Sequence, residues 1–230
     1  MANDAASQIV PLLGRCLLFR ALDDGTRQEL AARVHRHSFK AGEPIFHIGA
    51  PGQSMVVILQ GIVRVSLPGP KGKTVILADL AAGEVLGEVA LLDGKERSAD
   101  ATALTNCSVA MLERRDVVPF LLKRPDVCFK LLELMCARLR KSDEQMAEIA
   151  FLELPARLAK ALLDRVGPPT RSAAAPKLAL SQSELASMIN ATRENVNRCL
   201  HDWQRRGIVA IDGGRISILQ REALNAISVQ

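Results

Sequence analysis

The chain has 230 residues and a net charge of +5, which is enough chain for two domains that each bury a core. From Glu153 onward there are 11 basic and 7 acidic residues, so most of the excess positive charge lies in the last third, where a polyanion would meet it. The five cysteines form no CxxC pair and have no histidine at metal-ligand spacing, which argues against a zinc site and a disulfide framework.

The sequence predicts neither a signal peptide nor a membrane span. The N-terminus lacks a basic stretch followed by an apolar one, and no uninterrupted apolar run is as long as a bilayer is thick. We therefore expect a cytoplasmic protein with reduced thiols, no bound metal and no membrane partner. No histidine has a useful spacing to a cysteine or a carboxylate pair, so we expect no catalytic residues and no enzyme activity.

Short helices are predicted up to about Arg36, and a sheet-rich domain is predicted to follow them. From Phe39 to about Leu112, short apolar runs are broken by Gly, Pro and Asp, a pattern typical of an antiparallel sandwich or jelly roll. The strands are expected at residues 44–47, 55–59, 63–66, 75–80 and 109–112.

A long helix is predicted to begin near Arg124 and Pro125, because proline fits the first helical turn. Positions spaced by three and four residues along it form a seam with apolar ends and a polar middle. These positions are Cys128, Leu131, Met135, Arg138, Ser142, Gln145, Ile149 and Leu152. Such a seam favours a dimer interface that also contacts a ligand; an ordinary amphipathic surface helix is the alternative.

Beyond this helix, Pro155 is expected to interrupt the helical pattern, with a second helix over residues 156–166. The stretch from Gly167 to Pro176 is rich in Pro, Ala and Ser and is typical of a flexible connector.

Two short helices joined by a tight turn are predicted between Leu180 and Leu200. Ser181 can form a capping box with the glutamate three residues later, and Thr192 can cap the second helix. A two-stranded hairpin follows and completes a winged helix-turn-helix, a double-stranded DNA-binding motif. A small helical subdomain with surface charges is the alternative. The expected DNA-binding residues are Ser181, Gln182, Thr192, Arg193, Glu194, Asn195, Asn197 and Arg198.

The second informative run extends from Gly83 to Ala99. Its glycines permit a tight backbone, and the amides after Gly87 can face an anion. Arg97 and Ser98 add a positive charge and a hydroxyl group. This set suits one phosphate, whereas an ordinary glycine-rich loop that contains an arginine is the alternative.

Nearly the whole chain resembles the CRP/FNR family of transcription regulators, from Phe39-Lys-Ala-Gly-Glu43 through Gly83–Ala99 and Ala150-Phe-Leu-Glu153 to the helix-turn-helix. The resemblance implies an α+β fold with three parts. These are a cyclic-nucleotide-binding β-roll with N-terminal helices over residues 1–123, a dimerisation helix over 124–152 and a winged helix-turn-helix domain over 153–230.

The resemblance also implies residue roles. Gly87 and Glu88 would meet the phosphate and ribose of a cyclic nucleotide, while Arg97 and Ser98 would hold the cyclic phosphate. Half-sites similar to TGTGA, arranged as a palindrome, would be read by Arg193, Glu194 and Arg198.

The nucleobase contacts depart from the pattern of the cAMP-receptor branch. Where that branch has Thr followed by Ser on the long helix, this chain has Ser142 followed by Asp143. A carboxylate can accept from the amino group of adenine or from the N1 and N2 donors of guanine. We therefore favour cAMP as the effector and keep cGMP as the alternative.

The predicted function is that of an allosteric homodimer in which the nucleotide controls DNA binding, with RNA polymerase as a further expected partner. One alternative is a family member that binds DNA without a nucleotide or senses another signal. The other is a cyclic-nucleotide module of an enzyme or channel. Cys16 alone near the N-terminus argues against the iron-sulfur branch. The haem-binding branch stays open, although the histidines at 35, 37 and 47 are expected on the surface.

Overall fold

The computed structural model describes residues 9–16, 18–20, 22–167, 177–178, 180–213 and 215–229. The chain divides into two compact units, the first made of Met1–Gly72 and Ile76–Arg138, the second of Lys73–Val75 and Leu139–Gln230. Residues 168–176, most of the predicted connector, lie outside the described residues. The predicted domain boundaries after residues 123 and 152 stay a prediction.

Along the chain, the helices and strands follow one another in the predicted order: N-terminal helices, a strand-rich region, a long helix, a second helix, a helix pair and a hairpin. After helical backbone at residues 9–13 they are α1 (Asp24–Ala31), β1 (His35–Phe39), β2 (Pro44–Phe46), β3 (Ser54–Gln60), β4 (Ile62–Pro68), a 3₁₀ turn (Pro70–Gly72), β5 (Thr74–Ala81), β6 (Val85–Leu86), α2 (Glu88–Asp93), β7 (Asp100–Ala103), β8 (Cys107–Glu113), α3 (Arg114–Lys123), α4 (Pro125–Phe151), α5 (Leu154–Val166), β9 (Lys177–Leu178), α6 (Gln182–Met188), α7 (Arg193–Arg205), β10 (Val209–Asp212), β11 (Arg215–Ile218) and α8 (Arg221–Ser228).

The first unit contains two four-stranded sheets, with strand orders β1-β8-β3-β6 and β2-β7-β4-β5. The ladders between β1 and β8, β3 and β8, and β4 and β7 are antiparallel. The predicted β-roll is therefore confirmed. Strands such as β3 and β8 extend a few residues beyond the predicted apolar runs because polar residues continue the ladder.

Strand β3 lies between two apolar cores. Val56 and Ile58 pack into the cluster between the sheets, whereas Met55 and Val57 pack into the cluster that covers the outer face of the first sheet. Successive side chains of a strand point to opposite faces, so a strand that is covered on both sides needs an uninterrupted apolar run.

The start of α4 packs against the outer face of the first sheet. Val127 and Leu131 are each 2% exposed and belong to the same core cluster as Met55. The seam predicted from the sequence is therefore wrong at Leu131, which lies in the core of its own unit. It is also wrong at Arg138, whose guanidinium binds within the unit, to Glu88.

The exposed apolar row of α4 is shifted by one residue from the predicted seam. Phe129, Leu132, Leu139 and Met146 are all exposed, and Cys136 is exposed between them. From Phe129 to Leu139 the steps are three, four and three residues, which is the heptad spacing of a two-helix interface. Met146 follows Leu139 by seven residues, and the exposed Asp143 occupies the heptad position between them.

The second unit packs α5 and α8 with the helix pair α6–α7 and the antiparallel sheet β10-β11-β9, so the predicted winged helix-turn-helix is confirmed. Its core centres on Trp203, Leu162 and Leu200. The helical pattern is interrupted next to Pro155, as predicted, because α4 ends at Phe151 and α5 begins at Leu154. Pro155 itself lies in the first turn of α5, where its missing N–H group costs nothing.

We expect Leu162→Ala to lower the unfolding free energy of the second unit by about 2–5 kcal/mol, because Leu162 is fully buried and truncation of a buried leucine leaves a cavity. Trp203 is the sole tryptophan and lies in this core, so urea unfolding followed by its fluorescence reports on this unit. The exposed Leu219 supplies the matched control, Leu219→Ala. Equal losses in both variants would contradict the assigned core.

Candidate functional site

The turn between β6 and α2 brings the backbone of Gly87 against a buried arginine. Gly87 has φ +78°, and a Cβ atom there would lie 2.3 Å from Nη1 of Arg97. A side chain at this position would therefore be strained and would also displace the guanidinium. Glycine at 87 is needed for the buried position of Arg97.

Arg97 is 6% exposed and is held by groups from three elements. Its Nη1 donates to the carbonyl oxygens of Ser54 (2.7 Å) and Gly87 (3.0 Å), and its Nη2 donates to Oγ of Ser54 (2.9 Å). The Phe46 ring lies 4.2 Å from the guanidinium carbon. These contacts fix the plane of the guanidinium group.

One edge of this guanidinium is left for a ligand. Nε of Arg97 is buried, and no hydrogen-bond partner of it is found among the described residues, while Nη2 keeps one of its two hydrogens. The Nε–Nη2 edge is the one that Arg64 presents to Asp79 and Arg124 to Asp126. Two oxygens of a carboxylate or phosphate fit this edge.

The charge of Arg97 persists despite its burial. Burial lowers the pKa of the Arg97 guanidinium from its ordinary value, and the Glu88 carboxylate opposes this shift. An arginine nevertheless stays protonated in proteins. A buried positive charge is costly unless it is paired, so this position favours an anionic ligand.

Glu88 supplies a complementary acceptor. It is 1% exposed, its Oε1 accepts a hydrogen bond from Nη1 of Arg138, and Nη2 of the same arginine donates to the Val85 carbonyl. Oε2 of Glu88 is buried, and no donor to it is found among the described residues. A ligand hydroxyl could donate to this oxygen. The first unit thus combines a free donor edge for an anion with a free acceptor for a hydroxyl.

The structure places the predicted nucleotide-contacting residues in two groups. Gly87, Glu88 and Arg97 come together in the first unit, and Ser98 is exposed beside Arg97. Ser142 and Asp143 are exposed on α4 within the second unit.

Ser54, Phe46 and Arg138 were not predicted as site residues. The heptad spacing placed Arg138 only on the predicted seam. Arg138 and Glu88 are 50 residues apart along the chain, so no local sequence pattern could predict that they pair.

The helix-turn-helix is capped as the sequence predicted. Oγ of Ser181 accepts from the Glu184 amide, and the Glu184 side chain accepts from the Ser181 amide, which completes the capping box. Thr192 caps α7 through the Asn195 amide. Asn190, at the turn, has φ +51°, a conformation that asparagine tolerates better than most residues.

Helix α7 buries one face and exposes the other. The buried side chains are Val196, Leu200 and Trp203, whereas Arg193, Glu194 and Arg198 are exposed. These exposed side chains belong to the types that contact guanine, cytosine and phosphates.

Two pairs of polar side chains on α6 and α7 are joined by hydrogen bonds within the unit. Arg198 donates to Oδ1 of Asn195 (2.9 Å), and Gln182 donates to Oδ1 of Asn197 (3.0 Å). Burial, with the nearby Asp202 carboxylate, raises the pKa of the Cys199 thiol to about 11. Cys199 is therefore a neutral packing residue at physiological pH.

The wing follows α7 as the hairpin of β10 and β11, in which Val209 pairs with Ile218 and Asp212 pairs with Arg215. Gly214 of the predicted hairpin lies outside the described residues.

The described ranges contain no helix long and apolar enough to cross a bilayer. Among the same residues there is also no cluster of three His, Cys, Asp or Glu side chains that could hold a metal ion.

Two family models match the chain, one in each half. The cyclic nucleotide-binding domain matches residues 36–124, and the Crp-like helix-turn-helix domain matches residues 156–227. The first range contains Gly87, Glu88 and Arg97, and the second contains α6, α7 and the wing.

Two curated proteins are similar over most of their length. The cyclic AMP receptor protein of Thermus thermophilus is 32% identical over 193 residues, which are 84% of this chain and 88% of that protein. The CRP-like cAMP-activated global transcriptional regulator of Mycobacterium tuberculosis is 27% identical over 216 residues, 93% of this chain and 96% of that protein.

Among solved structures, the c-di-GMP responsive global regulator CLP of Xanthomonas campestris has the same fold. The TM-score is 0.78 at 22% identity, covering 85% of this chain and 99% of that one.

The pair of Glu88 and Arg138 gives a stability test. We expect Arg138→Ala to lower the unfolding free energy by about 2–3 kcal/mol, because it leaves the Glu88 carboxylate buried without its partner. The expected loss of unfolding free energy is smaller than the loss for breaking a fully buried ion pair, because the Arg138 side chain is 33% exposed. Adding Glu88→Gln should recover about half of the loss, as measured by urea unfolding. The exposed Arg140 supplies the control, Arg140→Ala. Additive losses in the double variant would show that the two side chains are not coupled.

Proposed function

The chain belongs to the CRP/FNR family of transcription regulators, and we propose that it is a cAMP-responsive homodimer that binds palindromic, TGTGA-like DNA sites. Nucleotide binding is supported by two buried polar atoms of the first unit that have no hydrogen-bond partner among the described residues. Among the residues that the structure describes, no acceptor is found for Nε of Arg97 and no donor is found for Oε2 of Glu88. A ribose cyclic phosphate supplies both groups in one molecule.

The charges of the site support a singly charged ligand. Arg97 and Arg138 each carry a positive charge, whereas Glu88 carries a single negative charge, so the cluster has a net charge of +1. A cyclic phosphodiester is a monoanion and would bring this buried cluster to neutrality. Since each uncompensated buried charge costs several kcal/mol, this balance favours a cyclic nucleotide over a dianionic phosphate monoester.

The proposed roles follow from these positions. Arg97 and Ser98 would hold the cyclic phosphate with the backbone at Gly87, and Glu88 would accept from the ribose 2′-hydroxyl. Ser142 and Asp143 would contact the nucleobase. A carboxylate at 143 can accept from adenine and from guanine, so cGMP is the second candidate effector.

The DNA part of the proposal is supported by α7. Arg193, Glu194 and Arg198 are exposed on one face of a capped helix, and helix-turn-helix proteins insert such a face into the major groove. The remaining predicted DNA contacts, from Ser181, Gln182, Thr192, Asn195 and Asn197, belong to the same proposal. RNA polymerase is proposed as a further partner on the resemblance alone.

Fluorescence anisotropy on a labelled palindromic TGTGA-type duplex tests the proposal, at one fixed salt concentration because DNA affinity depends steeply on salt. The arms are no nucleotide, cAMP, cGMP and c-di-GMP. We expect cAMP to tighten binding at least about tenfold, within the usual range of allosteric coupling. A larger effect of cGMP or c-di-GMP would overturn cAMP as the effector. Equally tight binding in all arms would mean that the nucleotide does not control DNA binding.

Arg97→Lys is the matched variant for that experiment. Lysine keeps the charge but lacks the two-donor edge, so we expect cAMP affinity in calorimetry to fall about 10-fold to 100-fold. DNA binding without nucleotide should stay unchanged. Unaltered cAMP affinity in a folded variant would remove Arg97 from the proposed pocket.

The homodimer is proposed to form through the exposed row of Phe129, Leu132, Cys136, Leu139 and Met146. Two parallel helices in register bring equivalent seam positions within disulfide distance. Mild oxidation should therefore cross-link the protein through Cys136, as seen by non-reducing electrophoresis, and Cys136→Ser should abolish the cross-link. A cross-link through Cys128 would instead support the seam predicted from the sequence.

A further inference from the structure

One hydrogen bond joins the two helices of the helix-turn-helix through a pair of amide side chains. Gln182 is the first residue of α6, and Asn197 lies in the second turn of α7. Nε2 of Gln182 donates to Oδ1 of Asn197 over 3.0 Å. Both residues are partly exposed, so the bond lies at the surface of the unit.

The bond leaves each amide with a defined free group. A side-chain amide has one carbonyl oxygen and one NH₂ group. After the bond, Gln182 keeps its oxygen as an acceptor and one N–H group, and Asn197 keeps both of its N–H groups and one lone pair of the bonded oxygen. Rotating both amides by 180° exchanges these roles between the two residues. In either arrangement one residue of the pair keeps a whole NH₂ group as donor and the other keeps a whole carbonyl oxygen as acceptor.

Asn197 is half-buried and lies at the edge of the exposed face of α7, where this face meets α6. Positions 193, 194, 197, 198 and 201 share this face at helical spacing, and the buried residues of α7 occupy the opposite side. Gln182 lines a cleft of 370 Å³ together with Arg193 and Ile211 of the wing. The amide pair therefore lies among the side chains that are proposed to enter the major groove.

We propose that Gln182 and Asn197 act as one unit that reads an A·T base pair in each half-site, an inference that rests on the proposed DNA-binding function. Adenine presents the N7 acceptor beside the N6 amino donor in the major groove. These match the free donor of Asn197 and the free acceptor of Gln182. Guanine presents two acceptors, N7 and O6, and its O6 would face the Gln182 oxygen without a hydrogen between them.

Asn197→Asp separates base reading from a structural role. The aspartate oxygen still accepts from Gln182, so the link between α6 and α7 is kept, but the free donor is replaced by an acceptor. We expect the preference for adenine at one position of the half-site to fall about tenfold, while preferences at the other positions stay unchanged. Gln182→Ala should lower the preference for adenine at the same position.

The measurement is selection from a random half-site library with the full-length protein, with and without cAMP, followed by sequencing of the bound DNA. Asn225→Ala, which removes an exposed amide on α8, is the matched control and should leave the base preference at every position of the half-site unchanged. Arg198→Ala should change the base preference at a different position from the one that Asn197→Asp changes. Trp203 fluorescence confirms that each variant is folded.

A second measurement uses the unaltered protein. Replacing the selected adenine by 7-deazaadenine removes N7 alone and should weaken binding about tenfold, whereas the Asn197→Asp variant should not distinguish the two duplexes. A strongly selected half-site in which no A·T position responds to Asn197→Asp or Gln182→Ala would overturn this inference and leave the proposed function intact. Selection of no sequence by the unaltered protein would overturn the proposed function, and this inference with it.

Discussion

The burial of one guanidinium group organises the first unit. Arg97 can lie 6% exposed only because Ser54 and Gly87 supply acceptors to it and because position 87 has no Cβ atom. Glu88 offsets part of the cost of burying the Arg97 charge, and Glu88 itself forms an ion pair with Arg138 on α4. Each charge in this series is expensive to bury alone, so the β6–α2 turn, the start of β3 and α4 must keep their relative positions within the unit.

The same series explains how a ligand could act on α4. The buried cluster has a net charge of +1, and a ligand hydroxyl at Oε2 of Glu88 would share that carboxylate with Arg138. A ligand changes a conformational equilibrium only as far as its free energy of interaction differs between the two states. Here the differing interaction would be the Glu88–Arg138 bond, which links the turn at Gly87 to the helix that carries the exposed apolar row.

Local patterns predicted much of this molecule, and contacts between distant segments account for the rest. The Ser181–Glu184 capping box was predicted because both partners lie within one helical turn. The predicted seam included Leu131 because Leu131 and Leu132 both fit heptad spacing, and only the packing of Leu131 in the core shows that this face of the helix is buried. Ser54 is 43 residues from Arg97, and nothing in an apolar strand pattern marks its hydroxyl as a partner.

Both units fix polar side chains by internal bonds and leave part of their hydrogen-bonding capacity free. Arg97 is held through Nη1 while its Nε edge stays open, Arg198 is held by Asn195, and Gln182 is held by Asn197. Ordering a long side chain costs conformational entropy on binding. Side chains that are already ordered avoid most of that cost. They also discriminate better, because a group fixed in one orientation cannot rotate to accommodate the wrong partner.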